Sequence, residues 1–367
     1  MRTKRILLMV SVVGLFLAAG CGTSMNRQRQ EARDRWATSR AEMVTRLAQG
    51  CFDRGEYGRA RQHVDEVIRN GVPYAPLYTL AARLSAEKGE LDNARTFAEN
   101  ARAIDPKAPE PRYVLGTIEQ MLGHPETAQA EFAEAAELDP KQPRYVLAQA
   151  EMLVAIGRAE EAAVALDGAV VQMPGQAEVH AALGDVLSLL KRDAEASGRY
   201  RIALRLEPQR ADIKERLAAS LYQSNAYAEA EPVLAELSEA GPEFANAWAR
   251  LMQAECLLAI GRPAEARGLF LCELEAKRGG LAPLLGLAKC DILEKRLPEA
   301  RQRLEAALAQ EPRNSEANAL EGYVLVATGR HGEAAAHLAM ALQDPACEGR
   351  PTVERLLSLA QSGCTQP

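Results

Sequence analysis

The sequence predicts an all-α chain made of repeated helical hairpins, an α-solenoid. Three observations carry this. Nine alanines, at 60, 94, 128, 162, 196, 230, 266, 300 and 334, recur at one fixed interval with a single longer step between Ala230 and Ala266. Twelve places before each stands a second small residue: Ala48, Ala82, Gly116, Ala150, Gly184, Ala218, Ala254, Ala288 and Gly322. Small residues at both places let the two helices of one hairpin approach closely. Punctuation falls at fixed offsets as well. Turn formers (Gly55, Gly89, Gly123, Gly157, Asn225, Gly261 and Gly329) precede the alanine by five places, and Pro106, Pro140, Pro174, Pro208, Pro242 and Pro312 follow it by twelve. Each unit therefore reads helix, turn, helix, breaker.

Counted from a common first residue, the units begin at 41, 75, 109, 143, 177, 211, 247, 281 and 315. The second shows the logic. Tyr78, Ala81, Ala82 and Ser85 share one face of its first helix, and Ala94, Ala98 and Ala101 the facing side of its second. Spacings of three, four and seven give each helix one apolar stripe. One hairpin cannot bury both stripes, so neighbours complete the core. Pro125 and Pro263 fit the first turn of a helix. Pro232 falls near the start of a helix, where a proline is partly tolerated. The period breaks only around Pro242 to Ala247, where two extra residues should shift a loop or lengthen a helix end. After the last unit, Asp344-Pro345 interrupts the chain. A final amphipathic helix follows, with Leu356, Leu357 and Leu359 available to cover the last hairpin.

This pattern closely resembles the tetratricopeptide repeat (TPR), whose period of about 34 residues is the interval between successive alanines here. The resemblance implies an α-solenoid wound as a right-handed superhelix. About nine repeats would occupy residues 41–346, with a capping helix and tail in 347–367.

Composition agrees. Hydrophobic residues make up 47% and aromatic residues only 5%, which suits many short Ala- and Leu-rich helices better than a sheet-rich core. The net charge is −6, and removal of Arg2, Lys4 and Arg5 would leave 41 basic against 50 acidic residues, or −9. So acidic an array is a poor match for a phosphate backbone, and nucleic-acid binding is not expected.

Residues 1–20 have the layout of a secretory signal: Arg2, Lys4 and Arg5, then an uncharged run from Ile6 to Phe16, then small residues. The run Leu17-Ala18-Ala19-Gly20-Cys21 resembles a bacterial lipoprotein cleavage site, with Ala18 where leucine is commonest. That resemblance implies acylation of Cys21 and a lipid-anchored protein of the bacterial cell envelope. Gly22 after the cysteine implies the outer membrane, facing the periplasm. The alternatives are a plain signal peptide and an uncleaved anchor, for which the apolar run is short against the roughly 20 residues that a span needs. Residues 21–40 read as a polar tether merging into the first helix. Its arginines 27, 29, 33, 35 and 40 are interspersed with Glu31 and Asp34, so it reads as a solvated helix.

The TPR resemblance also implies where partners bind. In that family the concave face is lined by positions two, five, nine, twelve and thirteen of each first helix. Here these offsets supply Tyr113, Leu147, Tyr222, Trp248, Leu258, Leu285, Ile292 and Tyr323, with the polar residues Arg83, Gln120, Glu151, Asp185, Glu215, Gln223, Glu255 and Lys289. Leu147, Leu258, Leu285 and Ile292 are expected to pack between repeats, and Tyr113, Tyr222 and Trp248 to face a ligand. Such a groove suits a protein or peptide. The carboxylate clamp of chaperone-binding relatives needs Asn at position nine. That place holds Gln49, Arg83, Thr117, Glu151, Asp185, Ala219, Glu255, Lys289 and Tyr323, so no clamp is expected.

Chemistry is not indicated. The cysteines other than Cys21 (51, 256, 272, 290, 347 and 364) form no closely spaced metal pair, and the five histidines are dispersed. Cys256 and Cys290 read as small core residues, and Cys347 with Cys364 could close a loop across the cap. Neither phosphate-loop nor nucleophile-elbow motifs occur. No catalytic residue, metal or cofactor is expected. Paired carboxylates read as accidents of a charge-rich surface. The expected role is a non-catalytic protein-interaction scaffold. TPR lipoproteins include proteins that help assemble pili or secretion channels. The rival readings are an accessory subunit of an envelope enzyme complex and a glycan- or small-ligand-binding solenoid. Truncation after Ala346 is predicted to lower the cooperativity of unfolding in a thermal melt, because it strips the cap from the last hairpin.

Overall fold

The computed structural model describes the backbone of residues 2–240, 246–277 and 280–363, and the side chains of residues 25, 27–239, 247–277 and 280–363. Among these residues every regular element is an α-helix. Helices α1 (Arg2–Asp53) and α2 (Tyr57–Ile68) form the first hairpin, α3 (Ala75–Glu87) and α4 (Leu91–Ile104) the second, α5 (Pro109–Met121) and α6 (Pro125–Leu138) the third, and α7 (Pro143–Ala155) and α8 (Ala159–Gln172) the fourth. They belong to one compact unit, Met1–Pro174. A second unit, Gly175–Pro367, holds α9 (Ala177–Leu189), α10 (Asp193–Leu206), α11 (Ala211–Gln223), α12 (Tyr227–Ala240), α13 (Asn246–Ala259), α14 (Pro263–Glu275), α15 (Ala282–Leu293), α16 (Leu297–Gln310), α17 (Ser315–Ala327), α18 (His331–Ala341) and the last helix, α19 (Arg350–Gly363).

Within each unit, a helix packs on the next in sequence. First helices of adjacent repeats also touch, α1 with α3 and α3 with α5 in one unit, α13 with α15 and α15 with α17 in the other. Second helices make no comparable contact with one another among the described residues. The tighter row is therefore the row of first helices.

The periodic alanines lie in the core. All nine, from Ala60 to Ala334, are fully buried. Where the small residue twelve places earlier is glycine, a large side chain sits against the place of its missing β-carbon. A β-carbon on Gly116 would lie 2.7 Å from the Phe132 ring, one on Gly184 would lie 2.6 Å from Tyr200, and one on Gly322 would lie 2.5 Å from Leu338. Where the same place is alanine, the residue sixteen places on is Val64, Ala98, Leu166, Leu234, Phe270 or Leu304. Each glycine makes room for one larger side chain.

The turns are as regular as the helices. Gly55, Gly89, Gly123, Gly157, Gly261 and Gly329 have φ between 74° and 79°, and Asn225 has φ 59°. Repeats five and eight lack a turn former, yet Lys191 (φ 61°) and Lys295 (φ 60°) adopt the same left-handed conformation. For a residue with a β-carbon this costs about 1–2 kcal/mol. The lysine charge beside a helix C-terminus offsets part of it.

Charge also enters the core. Glu119 is 1% exposed and is held by Arg95 at 2.9 Å and by the His124 imidazole at 2.9 Å. Asp291, equally buried, is held by Arg267 at 2.8 Å and Arg303 at 2.7 Å. Arg95 and Arg267 stand 24 places before their acids, and Arg61 stands 24 before Ser85, to which it donates a hydrogen bond of 2.8 Å. In other repeats the acid's place is a buried leucine: Leu153, Leu187, Leu221, Leu257 or Leu325. A paired buried charge and a leucine fill one slot between successive repeats, and the arginine prevents the carboxylate from being left uncompensated.

Two local expectations change. In α19 the stripe that covers repeat nine is Val353, Leu356, Leu357 and Ala360. Leu359, expected among the covering residues, is 53% exposed because it falls off the three-four-seven spacing. Pro232 sits at the sixth position of α12, past the first turn, and the helix runs through it. Helix α1 continues through the segment read as a tether. The two-residue insertion falls at 241–245, outside the described residues, and the helices on either side have 14 residues each. Cys21 and the segment 1–20 lie outside the residues whose side chains are described. Among the described residues no helix is long and apolar enough to cross a membrane.

Gly184→Ala should lower stability by about 1–3 kcal/mol in a urea titration, because the new methyl meets the buried Tyr200 ring rather than a flexible chain end. An unchanged midpoint would refute this packing account.

Candidate partner-binding face

The last turns of three successive first helices in the second unit, with the middle of a fourth, build a groove of about 370 Å³. Tyr222 comes from α11, Glu255 and Leu258 from α13, Lys289, Ile292 and Leu293 from α15, and Leu320 from α17, with Tyr227 from the start of α12. Repetition explains the convergence. Glu255 and Lys289 stand one repeat apart, so equivalent places on neighbouring helices bring their side chains together. The Lys289 ammonium lies 3.3 Å from one Glu255 oxygen and 2.6 Å from Glu316. Burial works against this ammonium, but the two carboxylates more than offset it and its pKa rises. The three groups together carry one net negative charge.

Tyr222 and Tyr227 meet edge to face, with ring centroids 5.4 Å apart. Burial raises the Tyr222 phenol's pKa, and the nearby Glu255 carboxylate adds to the effect. Leu258 is mostly buried and Ile292 half-buried, while Leu293 is 56% exposed at the rim. The groove thus offers an apolar floor, two aromatic edges and an acidic side.

Other inner-face residues are placed differently. Arg83 lines a second groove, about 580 Å³, between α1, α3 and α5, and its guanidinium lies 4.4 Å from the Phe52 ring centroid. Tyr113 is half-buried against Phe132 and Tyr145, with centroids 5.5 and 5.3 Å away, and Arg144 lies over its ring. Gln120 donates to Glu151 at 3.4 Å. Asp185 accepts from the Tyr200 hydroxyl at 2.8 Å and from Arg216 at 2.7 Å. Burial raises its pKa, with those two partners pulling the other way. Gln223 and Glu215 are exposed, as are Trp248 at 43% and Tyr323 at 42%. Leu285 belongs to a buried cluster and Leu147 is half-buried.

Two tetratricopeptide-repeat family models match the chain, one over residues 85–152 and 221–271 and the other over residues 295–351. The chain is a tetratricopeptide-repeat protein. Solved TPR structures resemble it at the level of fold. Pseudomonas aeruginosa pilF has a TM-score of 0.43 and 22% identity, over 57% of this chain and 94% of its own. A tetratricopeptide repeat protein from Parabacteroides merdae has a TM-score of 0.43 and 15% identity, over 78% of this chain and 98% of its own. YrrB, described as a TPR protein with an unusual peptide-binding site, has a TM-score of 0.42 and 19% identity, over 49% of this chain and 93% of its own. No curated protein matches the chain.

The TPR offsets account for much of the groove and miss part of it. Leu293 and Glu316 stand at positions thirteen and two of their repeats, so the same offsets point to them. Tyr227 and Leu320 stand outside those offsets, and only the packing of successive hairpins brings them to the rim. Among the described residues no group of three His, Cys, Asp or Glu side chains converges as metal ligands would. Cys256 and Cys290 are free and fully buried. Burial pushes their thiols up to about 12 and about 11. Cys347 is free, and its suggested partner Cys364 lies outside the described residues. In native protein at neutral pH, a maleimide should label Cys272, which is exposed, and leave Cys256 and Cys290 unmodified by mass spectrometry. Rapid labelling of either buried thiol would contradict the packing of repeats seven and eight.

Proposed function

We propose that this TPR protein is a non-catalytic scaffold of the bacterial cell envelope, anchored by a lipid on Cys21 at the outer membrane and facing the periplasm. It gathers partner proteins by holding a segment of each along its first helices. The observation that carries the reading is the groove around Tyr222, Glu255 and Lys289, where an apolar floor sits beside two aromatic rings and a net negative triad. Aromatic anchors in a desolvated pocket dominate interface energies, and an acidic side favours a segment that carries a basic residue. Assembly of pilus or secretion-channel subunits is the task that the lipoprotein resemblance suggests.

A photo-crosslinking residue at Leu293 should give discrete protein adducts in living cells, and Tyr222→Ala should reduce them several-fold. The same adducts from a crosslinker at the exposed Val164 would place binding elsewhere. Cys21→Ser should release the protein from membrane fractions, and unchanged fractionation would refute the anchor while leaving the groove untouched.

A further inference from the structure

Repeat one has no hairpin before it, and α1 shows the consequence. Leu77 and Ala81, at the third and seventh places of repeat two, are fully buried in the cluster shared with repeat one. Ile213 and Leu217, the same places in repeat six, are also buried. In repeat one these places are Met43 and Leu47, which are 70% and 53% exposed. Upstream on the same helix, Trp36 is 66% and Met25 55% exposed. At about 3.6 residues per turn, Met25, Trp36, Met43 and Leu47 fall within about 40° of one another, in a stripe about 33 Å long. Solenoid ends ordinarily present a polar face. This one presents thioethers, a leucine and an indole.

Charge is sorted around the stripe. Arg29, Arg33 and Arg40 lie within about 80° of the Met25 direction on one edge, and Arg35 and Arg46 within about 80° on the other. Glu31, Asp34 and Glu42 point about 100–180° away. Arg40 pairs with Glu66 at 2.5 Å and Arg46 pairs with Glu42, whereas Arg29 and Arg33 make no ion pair among the described residues. The acids therefore do not solvate the stripe's own face. The linear sequence interleaves the two signs, and the helix separates them.

We propose that residues 25–47 of α1 form an interfacial helix whose Met25, Trp36, Met43 and Leu47 lie in the surface of an anionic lipid bilayer, with the flanking arginines on headgroup phosphates. An apolar stripe with an indole and basic edges has the composition of such a helix. A second copy fits less well, because basic residues border both edges and any pairing of two stripes sets arginines against arginines. The contact does not depend on acylation of Cys21, so it goes beyond the anchor proposed above.

The chain has two tryptophans, so Trp248→Phe in the full-length protein leaves Trp36 as the sole indole. Its emission should shift to the blue on vesicles containing phosphatidylglycerol at low salt and stay unchanged on phosphatidylcholine vesicles. The double variant Arg29→Gln/Arg33→Gln, both exposed positions, should weaken partitioning roughly 30-fold, at about fivefold per arginine near an anionic surface. The shift should persist in the Cys21→Ser background, which separates this contact from the anchor. No shift on anionic vesicles, an equal shift on neutral ones, or a concentration-dependent shift without lipid (a second copy on the stripe) would overturn the proposal.

Discussion

Everything in this architecture depends on the close approach of two helices at one pair of small residues. Where the pair is Ala and Ala, both methyl groups are buried in the core. Where it is Gly and Ala, an aromatic ring or a leucine from the second helix occupies the space that a β-carbon would take, as Tyr200 does beside Gly184. That contact sets the spacing within a hairpin, and the spacing leaves an apolar face that only the next hairpin can cover. The slot filled by Leu187 in one repeat and by a clamped Asp291 in another shows that the stacking tolerates changes of chemistry but not of fit.

Regular stacking also makes the functional surface. Side chains one full repeat apart become neighbours on parallel first helices, so a linear period turns into a row of contacts. Glu255 and Lys289 are one such pair, joined by Glu316 from the start of the next first helix and flanked by Tyr222 and Tyr227. A residue contributes to the groove through its place in the repeat, and its partners are set by the repeats on either side. The same logic draws other inner-face side chains into packing: Tyr113 and Asp185 bind their neighbours, Phe132 with Tyr145 and Tyr200 with Arg216.

The two ends of the repeat array are treated unequally. At the C-terminal end α19 lays Val353, Leu356, Leu357 and Ala360 over the last hairpin. At the N-terminal end α1 extends past the repeat, and Met43 and Leu47 stay outside. Burying such side chains relieves about 25 cal/mol for each Å² of apolar surface, so an external surface that accepts them has a standing advantage over water.

The sequence by itself determined the helical class, the number and boundaries of the hairpins, the small-residue contacts and the place of most turns, because each is a local preference repeated at one period. It also pointed to Tyr222, Glu255, Leu258, Lys289 and Ile292 through their offsets. Only the tertiary structure decided which charges are buried and which are on the surface, since Glu119 and Asp291 look like any other acid until Arg95 and Arg267 arrive from the preceding repeat. It likewise decided that Lys191 and Lys295 close turns, and that Leu359 faces water while Val353 and Ala360 do not. Periodicity along a chain records which residues are equivalent. It does not record what each of them touches, because that depends on the size and charge of side chains one repeat away.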